Sequence, residues 1–177
     1  MPVESTDDIL PAHRGTPIEL LLRCHNLGAT LPLTTGHAQL LISMCMDHRK
    51  DLVLPNEFAY VVRSAGGSLR DSEFEVSYAI AVGGVSCVAL LAHTDCGMAG
   101  VTDRRDAFVE GLSERGGWSL SAAAAHFDHY AARYQIGDVL AFVTGEARRL
   151  RALYPRVQVA SLLYRVEDAR LMQVLEP

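Results

Sequence analysis

The sequence predicts an α/β protein built on a mainly parallel central β-sheet flanked by helices. Three observations carry that expectation. Short apolar runs at 38–44, 58–63 and 85–92 have the length and the Leu, Ile and Val content of buried strands. Helical patterns with start and stop signals alternate with strands over the first two thirds of the chain, as in a parallel sheet covered on both faces. The composition, 49% hydrophobic and 21% charged over 177 residues, suits a single domain spanning 1–177 with a sizeable core and argues against disorder.

The elements follow in chain order. Residues 1–15 show no clear periodicity, so a mobile or partner-swapped arm is expected there. A helix starts at Pro17: Thr16 can cap it, proline fits the first helical position, Glu19 completes a capping box, and Gly28 can stop it. The run 38–44 ends directly in Cys45-Met46-Asp47-His48-Arg49. The run 58–63 leads into Ser64-Ala65-Gly66-Gly67, where glycine permits either a tight turn or close approach of backbone to a small substrate. Asp71 or Ser72 can cap a helix through Ala81, closed by Gly83-Gly84. The most apolar run, 85–92, ends in His93-Thr94-Asp95-Cys96-Gly97-Met98. Residues 103–118 are charged and contain glycine, which predicts a loop or a frayed helix. Helical patterns follow at 119–134 and 137–153, then strands at 157–164 and 171–175 joined by a polar turn.

The charge balance excludes some functions. A net charge of −5, with Lys and Arg scattered, leaves no electrostatic footprint for nucleic acid or an anionic membrane. The N-terminus lacks the pattern of a signal peptide, and no apolar run approaches the roughly 20 residues that span a bilayer. A cytoplasmic protein is expected. In a reducing compartment its four cysteines point to metal binding or chemistry more than to disulfides.

Both clusters of metal-capable residues begin where a buried strand ends, and sites in open α/β sheets form outside the carboxyl ends of strands. Cys45 from one strand, with His93 and Cys96 after another, therefore can converge on one ion. Two thiols and an imidazole form a ligand set for Zn²⁺, and three protein ligands leave an open fourth position, the mark of a catalytic rather than a structural site. A lone cysteine after a strand is usually a small buried hydrophobe. Two clusters at strand ends, one with Asp47 and Arg49 beside it, favour the metal.

The pair Cys45-x-Asp47-x-Arg49 and His93-x-x-Cys96 resembles the zinc signature of the β-class carbonic anhydrases, and HTDCGM at 93–98 is similar to the branch typified by archaeal enzymes. Arg63-Ser64-Ala65-Gly66-Gly67 looks like that family's Arg-Asn-Ala-Gly segment, with Ser64 in place of Asn. The ending VASLLYRVEDARLMQVLE resembles the final strand pair, without the usual turn glycine. The likeness covers 38–101 well and 157–175 loosely, while 102–156 match poorly. It implies a β-carbonic anhydrase-like fold, reversible hydration of carbon dioxide by zinc hydroxide, and a homodimer with the pocket near the interface. The helix at Pro17, with Ile18, Leu20, Leu21 and Leu22, offers apolar surface for such a dimer or for its own sheet.

Zinc with two thiolates is formally neutral and acidifies bound water less than zinc on three neutral histidines, so help is expected. The resemblance implies that Arg49 pairs with Asp47 and keeps that carboxylate off the metal, where it accepts a hydrogen bond from bound water. With the pair broken, Asp47 can become the fourth ligand and close the site. The alternatives are hydrolysis of carbonyl sulfide or carbon disulfide on the same fold, and a zinc scaffold without turnover. Of the other candidates, His48 is a proton relay or an exposed bystander, and Cys24-His25 packs or faces solvent. Cys87 reads as core, and His126 with His129 as a solvent-facing pair.

Overall fold

The structure, a computed structural model, describes residues 1–30 and 36–176. Five helices and five strands are present among them: α1 (Pro17–Leu27), β1 (Leu40–Cys45), β2 (Ala59–Ser64), α2 (Glu73–Ala81), β3 (Cys87–His93), α3 (Arg105–Gly116), α4 (Leu120–Tyr134), α5 (Val139–Leu153), β4 (Gln158–Arg165) and β5 (Arg170–Gln173). The strands form one sheet in the order β2-β1-β3-β4-β5. The first four are parallel, and β5 returns antiparallel to β4.

Every residue of β1 and β3 is buried, as expected for central strands covered on both faces. Alternation along β1 divides the core. Leu40, Ile42 and Met44 pack with Ile18, Leu21 and Leu22 of α1, while Leu41 packs with Val76 and Ala79 of α2 and Val143, Ala147 and Leu150 of α5. Each such side chain contributes about 1.5–3 kcal/mol by leaving water. The apolar face of α1 is thus consumed by its own sheet. It is not the dimer surface that the sequence left open.

Local signals explain the helix ends. Thr16 Oγ1 accepts from Ile18 N–H at 3.2 Å, and Gly28 adopts φ 65° at the stop. The Glu19 carboxylate caps the Gly15 N–H at 2.6 Å, one residue earlier than the capping box predicts. Gly66, Gly67 and the three-residue 3₁₀ turn they close lie beneath β1 and β3. A side chain on Gly67, at φ 77°, would meet Cys45 N at 3.3 Å, so this segment is a close-packed turn.

Two expectations need correction. Residues 1–15 pack on their own chain rather than projecting as a mobile arm. Val3 and Ile9 are buried in the core beside α1, and the chain start pairs with β5 through Met1 N–H to Gln173 O (2.6 Å) and Gln173 N–H to Met1 O (2.9 Å). The Gln173 amide then accepts from Leu10 N–H and donates to Asp8 O. Side-chain hydrogen bonding to a buried glutamine holds the segment, which is why no periodicity announced it. Residues 103–118 form mainly the regular helix α3, closed by Gly117 at φ 72°. Only Val109 on it is buried, so it lacks the apolar stripe that pattern reading needs. Instead Arg105 grips Asp128 of α4 bidentately (2.7 and 2.8 Å), and Phe108 meets Phe127 with ring centres 5.1 Å apart.

The turn between β4 and β5 carries a strained residue. Ala169 sits at φ 56° in the left-handed region. Its carbonyl accepts from His25 Nε2–H at 2.8 Å, while His25 Nδ1 accepts from Val53 N–H, so this histidine ties α1 to two loops. A left-handed non-glycine residue costs about 1 kcal/mol. Ala169→Gly should therefore raise stability by roughly that amount in denaturant unfolding, offset in part by greater freedom of the unfolded chain. A stability equal to or below that of the parent protein would contradict the strain assigned to this turn.

Candidate metal centre

The chain order places the site. From β1 the chain moves to β2 on one side, then crosses to β3 on the other side and onward to β4. The order of strands therefore reverses at β1 and β3, and a crevice opens at their carboxyl ends, where ligands bind in such sheets. Parallel pairing with Met44 opposite Leu91 brings both strands to an end at nearly the same level. Cys45 is the last residue of β1, and His93 is the last residue of β3.

Cys96 joins them through a reversal at Asp95, whose φ of 54° lies in the left-handed region that aspartate tolerates better than most residues. One ligand atom each from Cys45, His93 and Cys96 lies within 4.8 Å of the others, and all three residues are buried. His93 Nδ1 lies 2.9 Å from Thr94 O, which makes Nδ1 the protonated nitrogen. Its Nε2 is buried and has no hydrogen-bond partner among the described residues. An imidazole oriented by a backbone carbonyl, with its other lone pair bare beside two sulfurs, fits a metal ligand.

The thiols are prepared for the same role. Contact with Cys96, and after it with His93 and the Asp47 backbone N–H, pulls the Cys45 thiol well below its usual range, against burial. The same contact pushes Cys96 up, opposed by the Met98 N–H. Two sulfurs set this close beside an imidazole suit a soft divalent cation, which displaces thiol protons as it binds. Two thiolates and one imidazole suit zinc.

Arg49 organises the rim. It donates to Asp47 from Nε (3.0 Å) and Nη2 (2.7 Å), and its own N–H reaches Asp47 Oδ1 at 2.9 Å. Nη1 meets Asp95 Oδ2 at 2.7 Å, and Nη2 meets Asp95 O at 2.9 Å. One guanidinium therefore couples the loop after β1 to the loop after β3. The Arg49 hydrogen bonds hold the Asp47 carboxyl well below the usual carboxylate range, and Asp47 is not part of the three-residue metal cluster. Asp95 was missed as a rim residue from sequence, although its place inside His93-x-x-Cys96 was the available signal. Lys50 was also missed: it is fully buried, directly after the Cys45–Arg49 motif.

The remaining candidates lie elsewhere. His48 is exposed, Cys24 and Cys87 are buried free thiols, and Ser64 Oγ donates to Ser68 O at 2.6 Å. His126 and His129 are exposed, and His126 packs against Phe108, Trp118 and Tyr130. No helix is long and apolar enough to cross a membrane among the described residues.

No protein-family profile matches the chain, and no curated protein does. Solved structures do match. A carbonic anhydrase from Glaciozyma antarctica superposes with a TM-score of 0.63 at 23% identity, covering 94% of this chain and all of that one (100%). β-Carbonic anhydrase isoform I of Trichomonas vaginalis gives a TM-score of 0.65 at 17% identity, covering 85% and 90% of the two chains. A carbon disulfide hydrolase gives 0.53 at 19% identity, covering 80% of each. The chain has the fold of the β-carbonic anhydrases.

Proposed function

We propose that this protein hydrates carbon dioxide reversibly to bicarbonate at a zinc ion held by Cys45, His93 and Cys96, with Asp47 and Arg49 as the catalytic pair. The observation that carries the reading is His93 Nε2, buried and unpartnered beside two cysteine sulfurs at the sheet's switch point. Zinc, when bound there, supplies a water acidified enough to act as nucleophile. The chain's own groups position the rest. Thr94 O fixes the His93 tautomer, and the N–H groups of Asp47 and Met98 steady the two sulfurs. Asp47 accepts a hydrogen bond from the nucleophile, and Arg49 keeps it from becoming the fourth ligand.

A second reading is hydrolysis of carbon disulfide or carbonyl sulfide, favoured by the fold shared with a carbon disulfide hydrolase. Rates on carbon dioxide and the two sulfur substrates, measured side by side, separate these readings. A scaffold without turnover would be inert on all of them. A cytoplasmic setting suits four cysteines that are all free thiols.

Assembly as a homodimer or larger homo-oligomer is part of the proposal. β2 is an edge strand exposing Tyr60 and Val61, and α2 adds Phe74, Tyr78 and Val82, with Phe74 76% exposed. Tyr60, Phe74 and Tyr78 line one apolar groove beside that edge, a surface suited to a second copy. Light scattering at micromolar concentration should give at least a dimer mass, and a monomer would reject this assembly.

Metal content is the next test. Purified protein should carry about one zinc per chain, and Cys45→Ser or Cys96→Ser should lose most of it. Full zinc in both variants would remove the ligand assignment.

The catalytic pair is tested through pH. Asp47 stays ionised through mild acid because its folded pKa is depressed, so its own protonation does not shape the profile there. Activity should rise with pH because a neutral metal centre acidifies water late. Asp47→Ala should cut turnover at all pH if the carboxylate orients the nucleophile, or flatten the low-pH fall if it competes as a ligand. Arg49→Ala frees the carboxylate and should inactivate far more than loss of a surface ion pair, which is worth under about 1 kcal/mol. Three superimposable rate profiles would remove any catalytic role for the pair.

A further inference from the structure

Asp95 touches the proposed catalytic pair directly, through Arg49. The guanidinium uses two of its edges. The Nε/Nη2 edge holds Asp47, with Nε 3.0 Å from Oδ1 and Nη2 2.7 Å from Oδ2. The Nη1/Nη2 edge holds Asp95, with Nη1 2.7 Å from Oδ2 and Nη2 2.9 Å from the backbone carbonyl. A planar fork bonded twice on each of two edges has little freedom to rotate or slide.

The two edges differ in what they fix. Asp47 and Arg49 stand two residues apart in the loop after β1, so their mutual bonds would survive if that loop swung as a unit. Asp95 lies between His93 and Cys96, in the turn after β3 that carries two of the three metal-capable residues. Among the described residues, it makes the only hydrogen bonds of the Arg49 side chain outside its own loop. Those bonds are what refer the Asp47 carboxylate to the metal site. Arg104 acts on Asp95 only at longer range, with no direct ion pair among the described residues. Asp95 also takes φ 54°, a backbone that glycine adopts without steric cost. Its side chain is 74% exposed, so burial does not account for its presence there. What the carboxylate contributes is the anchor on Arg49.

We propose that Asp95 is a positioning residue for the hydration reaction: from the turn that carries His93 and Cys96 it anchors the outer edge of Arg49, and so keeps the Asp47 carboxylate off the open position of the metal. The inference rests on the zinc reading above. It is tested on the full chain loaded with cobalt(II), whose visible spectrum reports a ligand entering that position, titrated with thiocyanate. A released Asp47 would compete for the position, and the apparent thiocyanate affinity would fall with the fraction of open sites. Asp95→Gly, which suits the turn and retains the carbonyl, should weaken thiocyanate binding roughly fivefold, the largest shift an exposed ion pair supports. Simple loss of a nearby negative charge has the opposite sign and would tighten it. Asp95→Asn retains an acceptor oxygen for Nη1 and should bind within about twofold of the parent protein. In an Asp47→Ala background, Asp95→Gly should weaken binding no further, because no carboxylate is left to compete. Asp95→Gly protein that binds thiocyanate as tightly as the parent, or more tightly, overturns this inference alone. Equal weakening in both backgrounds, the mark of a generally loosened turn, does the same. Parent protein that takes up no cobalt, or whose spectrum ignores thiocyanate, overturns the zinc reading and this inference together.

Discussion

The structure depends first on the parallel pairing of β1 with β3. These strands are buried along their whole length, and their register ends them side by side at the point where the strand order reverses. A shift of one residue in that register would turn every core side chain of β1 to the opposite face and move Cys45 away from His93. Burial therefore enforces the site as strictly as it enforces the core. The Gly67 turn adds a second restraint, because its backbone is left-handed and a Cβ there would crowd Cys45 N at 3.3 Å.

Electrostatics governs what the sheet has assembled. The centre combines two closely set sulfurs, an imidazole with a bare nitrogen, two carboxylates on one guanidinium, and a lysine sealed from solvent. The buried sulfurs, imidazole and lysine are each costly alone in a low-dielectric setting, while Arg49 and Asp95 lie at the solvent-facing rim. A divalent cation would resolve the sulfurs and the imidazole together. Arg49 holds the carboxylates in one geometry, and because Asp47 and Asp95 follow different strands, that geometry also locks the two ligand-bearing loops together.

Much of this was legible in the sequence, for identifiable reasons. The strands β1 and β3 are unbroken apolar runs that end abruptly in polar motifs, so their ends and their ligands could be read together. The caps at Thr16 and Gly28 and the paired glycines after α2 marked helix limits. What escaped has a common physical cause: interactions between distant polar groups leave no periodic trace. The N-terminal segment is held by Gln173, more than 150 residues away in the chain. Helix α3 is fixed by Arg105–Asp128 and a single buried valine. Asp95 and Lys50 resemble ordinary surface residues until the fold brings one under Arg49 and buries the other.

Zinc bound by the three residues is the claim on which the functional reading stands, and X-ray absorption at the zinc edge addresses it most directly. The purified protein should show two sulfur neighbours at about 2.3 Å and two light-atom neighbours at about 2.0–2.1 Å, one with the outer-shell scattering of an imidazole. In Cys45→Ser protein any residual zinc should show one sulfur. A shell of four sulfurs, or of nitrogen and oxygen alone, would contradict the assignment of Cys45, His93 and Cys96 as the metal ligands.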